Sequence, residues 1–116
     1  MNRARAEQRG RKGETIVASW LRLHGWRILA RRVKTPRGEI DLVARRGGTV
    51  AFVEVKWRGA PAARDQAIDE WRLRRVAAAV EAVAHRYARP GETVRIDVLL
   101  LAPWRWPRHI VNAWQP

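Results

Sequence analysis

The amino-acid order predicts a three-layer α/β/α domain whose mixed central sheet is built in the order α-β-β-β-α-β. Three observations carry that expectation. An amphipathic stretch opens the chain, two alternating runs meet at Gly47-Gly48, and a second amphipathic stretch precedes the apolar run "TVRIDVLLLA".

The elements follow in order. From Gly13, "GETIVASWLRLHG" reads as a helix, with Ile16, Val17, Trp20 and Leu21 on one face and Gly25 as its C-cap. "WRILARRV" (26–33) is a first strand, and "TPRG" sets Pro36 and Gly38 at the second and fourth positions of a type I turn. Residues 39–46 and 49–57 are two strands joined by the Gly47-Gly48 hairpin signal. "RGAPAARDQ" is a loop. Asp69 caps a helix whose apolar face is Leu73, Val76, Ala77, Val80, Val83, Ala84 and Tyr87, ending at Pro90-Gly91. "TVRIDVLLLA" is apolar enough for a central strand, and "PWRWPRHIVNAW" holds one short edge strand. Three consecutive strands make an antiparallel meander. The helix then crosses over, right-handed, to lay the fourth strand parallel to the third, and one helix covers each face of the sheet.

Composition narrows the class of function. Residues 1–12 form a basic arm and residues 13–116 a single domain. No apolar run reaches the roughly 18 residues that cross a bilayer, so no membrane partner is expected. Cysteine is absent, which removes disulfides, zinc fingers and thiol nucleophiles and makes a cytoplasmic address the default. Lys and Arg total 24 against 11 acids, a net charge of +13. Such a balance favours a nucleic-acid partner of some kind through counterion release. The phosphate-contacting candidates are Arg3, Arg5, Arg9, Arg11 and Lys12 in the arm, with Arg58 and Arg72 beyond it. The histidines show no metal-ligand spacing, and no phosphate-binding glycine loop occurs. Trp57, Trp104 and Trp106 alternate with Arg58, Arg105 and Arg108. Each Trp is read first as core packing, with stacking on unpaired bases as the alternative. Protein partners are not legible, and a dimer is left open.

The hairpin register carries the chemistry. A turn at Gly47-Gly48 pairs residues whose numbers sum to 95. One face then holds Ile40, Leu42 and Ala44 against Ala51, Val53 and Val55. On the other, Val43 meets Phe52, Asp41 meets Glu54, and Glu39 meets Lys56. Directly opposed residues have Cβ atoms about 4.5–5.5 Å apart, where like charges repel. Two readings of the Asp41–Glu54 pair stand open. A divalent cation between them would convert repulsion into a binding site, and hard oxygen donors point to Mg²⁺ or Mn²⁺. Neutralisation by Arg37 or Arg95 would serve equally. Lys56, on the face of Glu54, adds a cation where a phosphate would sit.

"GEIDLVA" followed by "FVEVK" and Arg58 resembles the YraN family of small bacterial proteins of uncharacterised function. That family resembles the PD-(D/E)xK, or restriction-endonuclease-like, nucleases, which include archaeal Holliday-junction resolvases. "GE…ASWLRLHGWRILARR" and "RIDVLLLA…RHI" extend the likeness over nearly the whole chain. The resemblance implies a restriction-endonuclease-like three-layer fold, metal held by Asp41 and Glu54 with the Val55 carbonyl, and an attacking water positioned by Lys56. Glu14 matches the acid that the first helix often contributes, although a helix N-terminus also favours an acid for its dipole. The chain departs from the pattern in three places. Ile40 replaces the proline of "PD", Trp57 follows Lys56, and Arg72 stands where the family often has Lys.

The implied activity is a metal-dependent endonuclease, a phosphodiesterase acting on DNA, with branched or flapped DNA the first substrate class to try. Two alternatives are a non-catalytic nucleic-acid-binding protein with this fold and a basic protein docked on an RNA assembly.

Overall fold

The computed structural model of the chain describes residues 3–58 and 70–114, with side chains described from Gly10 onward. Its elements are α1 (Arg3–Leu23), β1 (Arg27–Thr35), β2 (Gly38–Arg46), β3 (Thr49–Trp57), α2 (Glu70–Tyr87), β4 (Thr93–Leu101) and β5 (Arg108–Ile110). The strands form one sheet in the order β1-β2-β3-β4-β5. β1, β2 and β3 pair antiparallel, β3 and β4 parallel, and β4 and β5 antiparallel. With a helix on each face this is the three-layer α/β/α arrangement expected from the sequence, including the short edge strand in the tail. The Asp69 cap and most of the "RGAPAARDQ" loop lie outside the described residues. Among the described residues, no helix is long and apolar enough to cross a membrane.

Each layer boundary is a separate apolar cluster. α1 covers Leu42, Ala44, Ala51, Val53, Leu99 and Leu101 with Val17, Ala18 and Leu21. α2 covers Val43, Phe52, Ile96, Val98 and Leu100 with Leu73, Val76, Ala79, Val80 and Val83. Trp57, at the end of β3, packs against the α1 cluster.

Helix α1 differs from expectation at its start and on its face. It begins at Arg3, so the basic arm is helical and continuous with the rest of α1. Its buried face is Glu14, Val17, Ala18 and Leu21, whereas Ile16 is exposed. At its other end Gly25, with φ +84°, closes a Schellman cap. Trp26 N donates to Leu21 O at 2.9 Å and Gly25 N donates to Arg22 O at 3.1 Å.

Gly13 sits inside this helix for a steric reason. A Cβ there would lie 2.8 Å from Trp57 Nε1 and 3.3 Å from Leu101 Cδ1. Removing a helical glycine gains about 1 kcal/mol in propensity, but overpacking a rigid indole costs about 1–3 kcal/mol. Gly13→Ala is therefore expected to lower the melting temperature; a rise in thermal denaturation would show that Trp57 can move aside freely.

Candidate functional site

The site forms where β2 leaves β3. The hairpin ladder keeps the predicted register from Arg46↔Thr49 to Leu42↔Val53 and then stops. The next hydrogen-bonded position would join Val55 to Ile40. Instead, Val55 N donates to Asp41 Oδ2 at 2.8 Å, so a carboxylate has replaced a main-chain acceptor.

The β1–β2 ladder breaks at the same level. Arg32 and Asp41 drop out between Arg31↔Leu42 and Val33↔Ile40, and Arg32 has φ +52°. Residues two apart on a regular strand share a face. Here Leu42 lies in the α1 cluster and Ile40 in the α2 cluster. The expectation that Ile40 shares the Leu42 face is thus corrected, and the cause is the irregularity at Asp41.

The irregularity brings acids together from different elements. Glu14 from α1, Glu39 and Asp41 each offer a carboxylate oxygen, and these oxygens lie within 4.8 Å of one another. Glu54 joins through Asp41, to which its carboxyl is hydrogen-bonded. Glu14 and Glu54 are buried, at 6% and 5% exposure. Burial pushes the Asp41 carboxyl up to about 8, and the Glu54 charge adds to the rise. Val55 N–H works against both by favouring the ionised form. Burial also raises Glu54, opposed by the guanidinium of Arg72. Two carboxyls in one half-dry site cannot both ionise cheaply.

Arginines compensate two of the acids. Arg32 Nε donates to Glu14 Oε2 at 2.8 Å and Oε1 at 3.2 Å. Arg72 Nε, from α2, donates to Glu54 Oε1 at 2.7 Å. The counterions named from sequence are elsewhere. Arg37 lies 3.7 Å from Glu81, and Arg95 pairs with the buried Asp97. Asp97 is shared with His109 Nε2 at 2.7 Å and Asn112 N at 2.9 Å. These contacts tie the tail to β4, and they hold the Asp97 carboxyl below its usual range although burial alone would raise it.

The remaining candidates fall into place around the fork. β3 is regular across its pairing with β4, so Glu54 and Lys56 share the α2 face. Arg58 N donates to Leu101 O toward β4. Alternation along the strand therefore turns the Val55 N–H and carbonyl toward β2 and the acids. Lys56 and Arg58 are half-buried, while Arg11 and Lys12 are exposed on α1. The side chains of Arg3, Arg5 and Arg9 lie outside those described. Trp104 and Trp106 do not enter the core: both are solvent-exposed, and Trp106 stacks on Trp20 with ring centroids 5.8 Å apart. They lie in and just after the turn that leaves β4, where Arg105 N donates to Ala102 O at 3.3 Å.

Glu39 was not singled out as a ligand from sequence, although it stands two residues before Asp41 on the same strand. Its cleft-mate Trp71 carried no motif. A cleft of about 410 Å³ opens over the acids, lined by Gly38, Glu39, Asp41, Glu54 and, from α2, Trp71, Arg72, Arg75 and Val76.

The carboxylate group fits a hard divalent cation. Two oxygens on one Mg²⁺ at about 2.1 Å stand at most about 4.2 Å apart, so small side-chain rotations close the Glu14–Glu39–Asp41 set around an ion.

Known proteins resemble this chain over its full length. It matches the uncharacterised protein family UPF0102 over residues 13–101, a span that contains every acid of the cleft. A UPF0102 protein of Erythrobacter litoralis is 68% identical over 116 residues, covering 100% of both chains. One from Sphingopyxis alaskensis is 64% identical over 116 residues, again covering 100% of both. A third, from Parvibaculum lavamentivorans, is 46% identical over 108 residues, 92% of this chain and 81% of the relative. As the YraN resemblance anticipated, the chain belongs to the uncharacterised protein family UPF0102.

Proposed function

We propose that the protein is a Mg²⁺- or Mn²⁺-dependent phosphodiesterase that cuts DNA. The single observation that carries this reading is the carboxylate cluster at the β2–β3 fork, open to a cleft and followed by Lys56 on the strand that holds Glu54. The residues that would hold the ion are Asp41, Glu54 and the Val55 carbonyl, with Glu14 and Glu39 beside them. When bound, the ion would lower the pKa of a water and offset charge at the phosphate. The chain's own contribution is placement. β3 sets Lys56 two residues beyond Glu54, where an ammonium orients a water and stabilises charge developing at phosphorus. Val55 N–H fixes the Asp41 carboxylate, and Arg32 fixes Glu14. Arg72 holds Glu54 and stands at the cleft wall, so its guanidinium is within one side chain's reach of a phosphate.

The deciding assay is cleavage of labelled flapped, branched and plain duplex DNA with Mg²⁺, Mn²⁺ or EDTA. Cutting that needs the divalent ion supports the proposal; no cutting of any of them overturns it.

A second reading is a non-catalytic nucleic-acid-binding protein on the same fold. The Arg32–Glu14 and Arg72–Glu54 pairs favour it, because they compensate buried acids without an ion. Both readings expect salt-sensitive DNA binding from the +13 charge. Because the basic arm is part of α1, side-chain neutralisation tests it more cleanly than truncation. Replacing Arg3, Arg5, Arg9, Arg11 and Lys12 together with Gln is expected to flatten the log K against log salt slope. The slope should fall by about 0.9 for each duplex phosphate that the arm no longer neutralises. An unchanged slope would show that this end of α1 does not touch the backbone.

A further inference from the structure

The cleft has a second wall whose chemistry differs from that of the acids. Trp71 and Arg75 stand one turn apart on α2, which makes them surface neighbours. The large apolar residues of α2 beyond Trp71 are Leu73, Val76, Val80 and Val83, and all are buried; Trp71 is 60% exposed. Its ring is not left bare: the Arg75 guanidinium lies 5.1 Å from the ring centroid. Both residues line the same cleft as Asp41 and Glu54.

Size points the same way. A cleft of about 410 Å³ exceeds what an ion with six waters fills, at about 30 Å³ per water. It is within the range of sites that hold small organic groups, roughly 300–1,000 Å³. An exposed indole backed by a guanidinium is the pairing that holds unpaired bases, because every base has a π face. A base inside a duplex has both faces covered by its neighbours and cannot reach the ring without leaving the stack.

We propose that Trp71, supported by Arg75, stacks an unpaired base of a DNA strand whose phosphate lies at the acids, so that the cleft takes single-stranded or frayed DNA ahead of intact duplex. This rests on the phosphodiesterase reading of the same cleft, and the two are separable. Binding of the full chain to one labelled oligonucleotide, alone or annealed as a blunt duplex, is measured by fluorescence anisotropy in EDTA. Cutting of the same DNAs is measured separately with Mn²⁺.

The parent is expected to prefer the single strand. Trp71→Ala is expected to weaken single-strand binding by about tenfold to a hundredfold and so collapse the preference, while Trp71→Phe retains most of it. Because Trp71 lies on the surface, the variant's melting temperature should match the parent's; Trp71→Gln repeats the measurement if it does not. A parent without single-strand preference, or a Trp71→Ala loss equal on both DNAs or absent from both, overturns the proposal. Mn²⁺-dependent cutting with an unchanged preference in Trp71→Ala sinks the stacking wall and leaves the phosphodiesterase. A Trp71-dependent preference without cutting by the parent sinks the phosphodiesterase and leaves the stacking wall.

Discussion

Lys56→Ala is expected to abolish divalent-dependent DNA cutting while leaving metal binding intact. The side chain shares a face of β3 with Glu54 and stands two residues beyond it, about 6.5–7 Å along the strand. An ammonium there contributes charge and orientation but no lone pair to a cation. Losing it removes stabilisation that matters only as charge develops at phosphorus, an effect on the order of 10²-fold or more in rate. Asp41→Ala and Glu54→Ala remove oxygen donors, so both should lose ion binding as well as cutting. Lys56→Arg keeps the charge but changes its shape and reach, and should recover part of the rate. Calorimetric titration with Mn²⁺ beside a cleavage time course reads the two properties separately. Cutting by Lys56→Ala at near the parent rate would remove Lys56 from the site. Loss of Mn²⁺ binding in that variant would show that the lysine organises the acids themselves.

The course of the sheet was legible because two local rules agree there. Gly47-Gly48 sets the turn and the side-chain period of two sets the faces, so five residue pairs from Arg46↔Thr49 to Leu42↔Val53 follow without tertiary information. The rule failed at Asp41, where a side chain took over a main-chain hydrogen bond. Alternation of apolar and polar residues carries no trace of such an exchange. Ile40 therefore went to the opposite helix, although Asp41 and Glu54 still met.

The start of α1 failed for another reason. Gly10 and Gly13 look like breakers, yet the stretch around them is rich in Ala, Arg, Glu and Gln, which favour helix. Gly13 answers to Trp57, 44 positions later in the chain, and not to a turn. The counterions were the least accessible part. Arg72 reaches Glu54 from α2 and Arg32 reaches Glu14 from β1, both across 18 positions. Choosing among the many arginines needs the packing of the helices against the sheet. Glu39 is visible in the sequence as an acid two residues before Asp41, but the regular hairpin register sets it opposite Lys56, a cation, and not opposite another acid.

Replacing Asp41 with Asn is expected to stabilise the metal-free protein at neutral pH and to remove most of its response to metal. The folded carboxyl is pushed from an ordinary 3.8 to about 8. Between those values the folded state therefore holds a proton that the unfolded chain has released. For an acid raised in this way, stability is greatest below about pH 4, falls as pH rises through the window, and levels off above about pH 8. The loss is about 1.4 kcal/mol per pH unit at most within that window. Asn resembles the protonated acid: its carbonyl can accept from Val55 N–H, and its amide can donate to Glu54 as a carboxyl proton would. The melting temperatures of parent and variant should thus diverge from pH 5 to pH 8, with the parent falling relative to Asp41→Asn. Each kcal/mol is worth about 4 °C in a domain of this size. Mn²⁺ narrows the gap at pH 7.5, because an ion among the acids replaces repulsion with coordination. At 100 times the dissociation constant the parent gains about 2.7 kcal/mol, and the variant, one carboxylate short, gains much less. An Asp41 that served only as a structural acceptor gives the opposite pattern in one thermal-denaturation series. The variant would melt below the parent across the whole pH range, the parent would ignore Mn²⁺, and the carboxylate cluster would lose its claim to a cation.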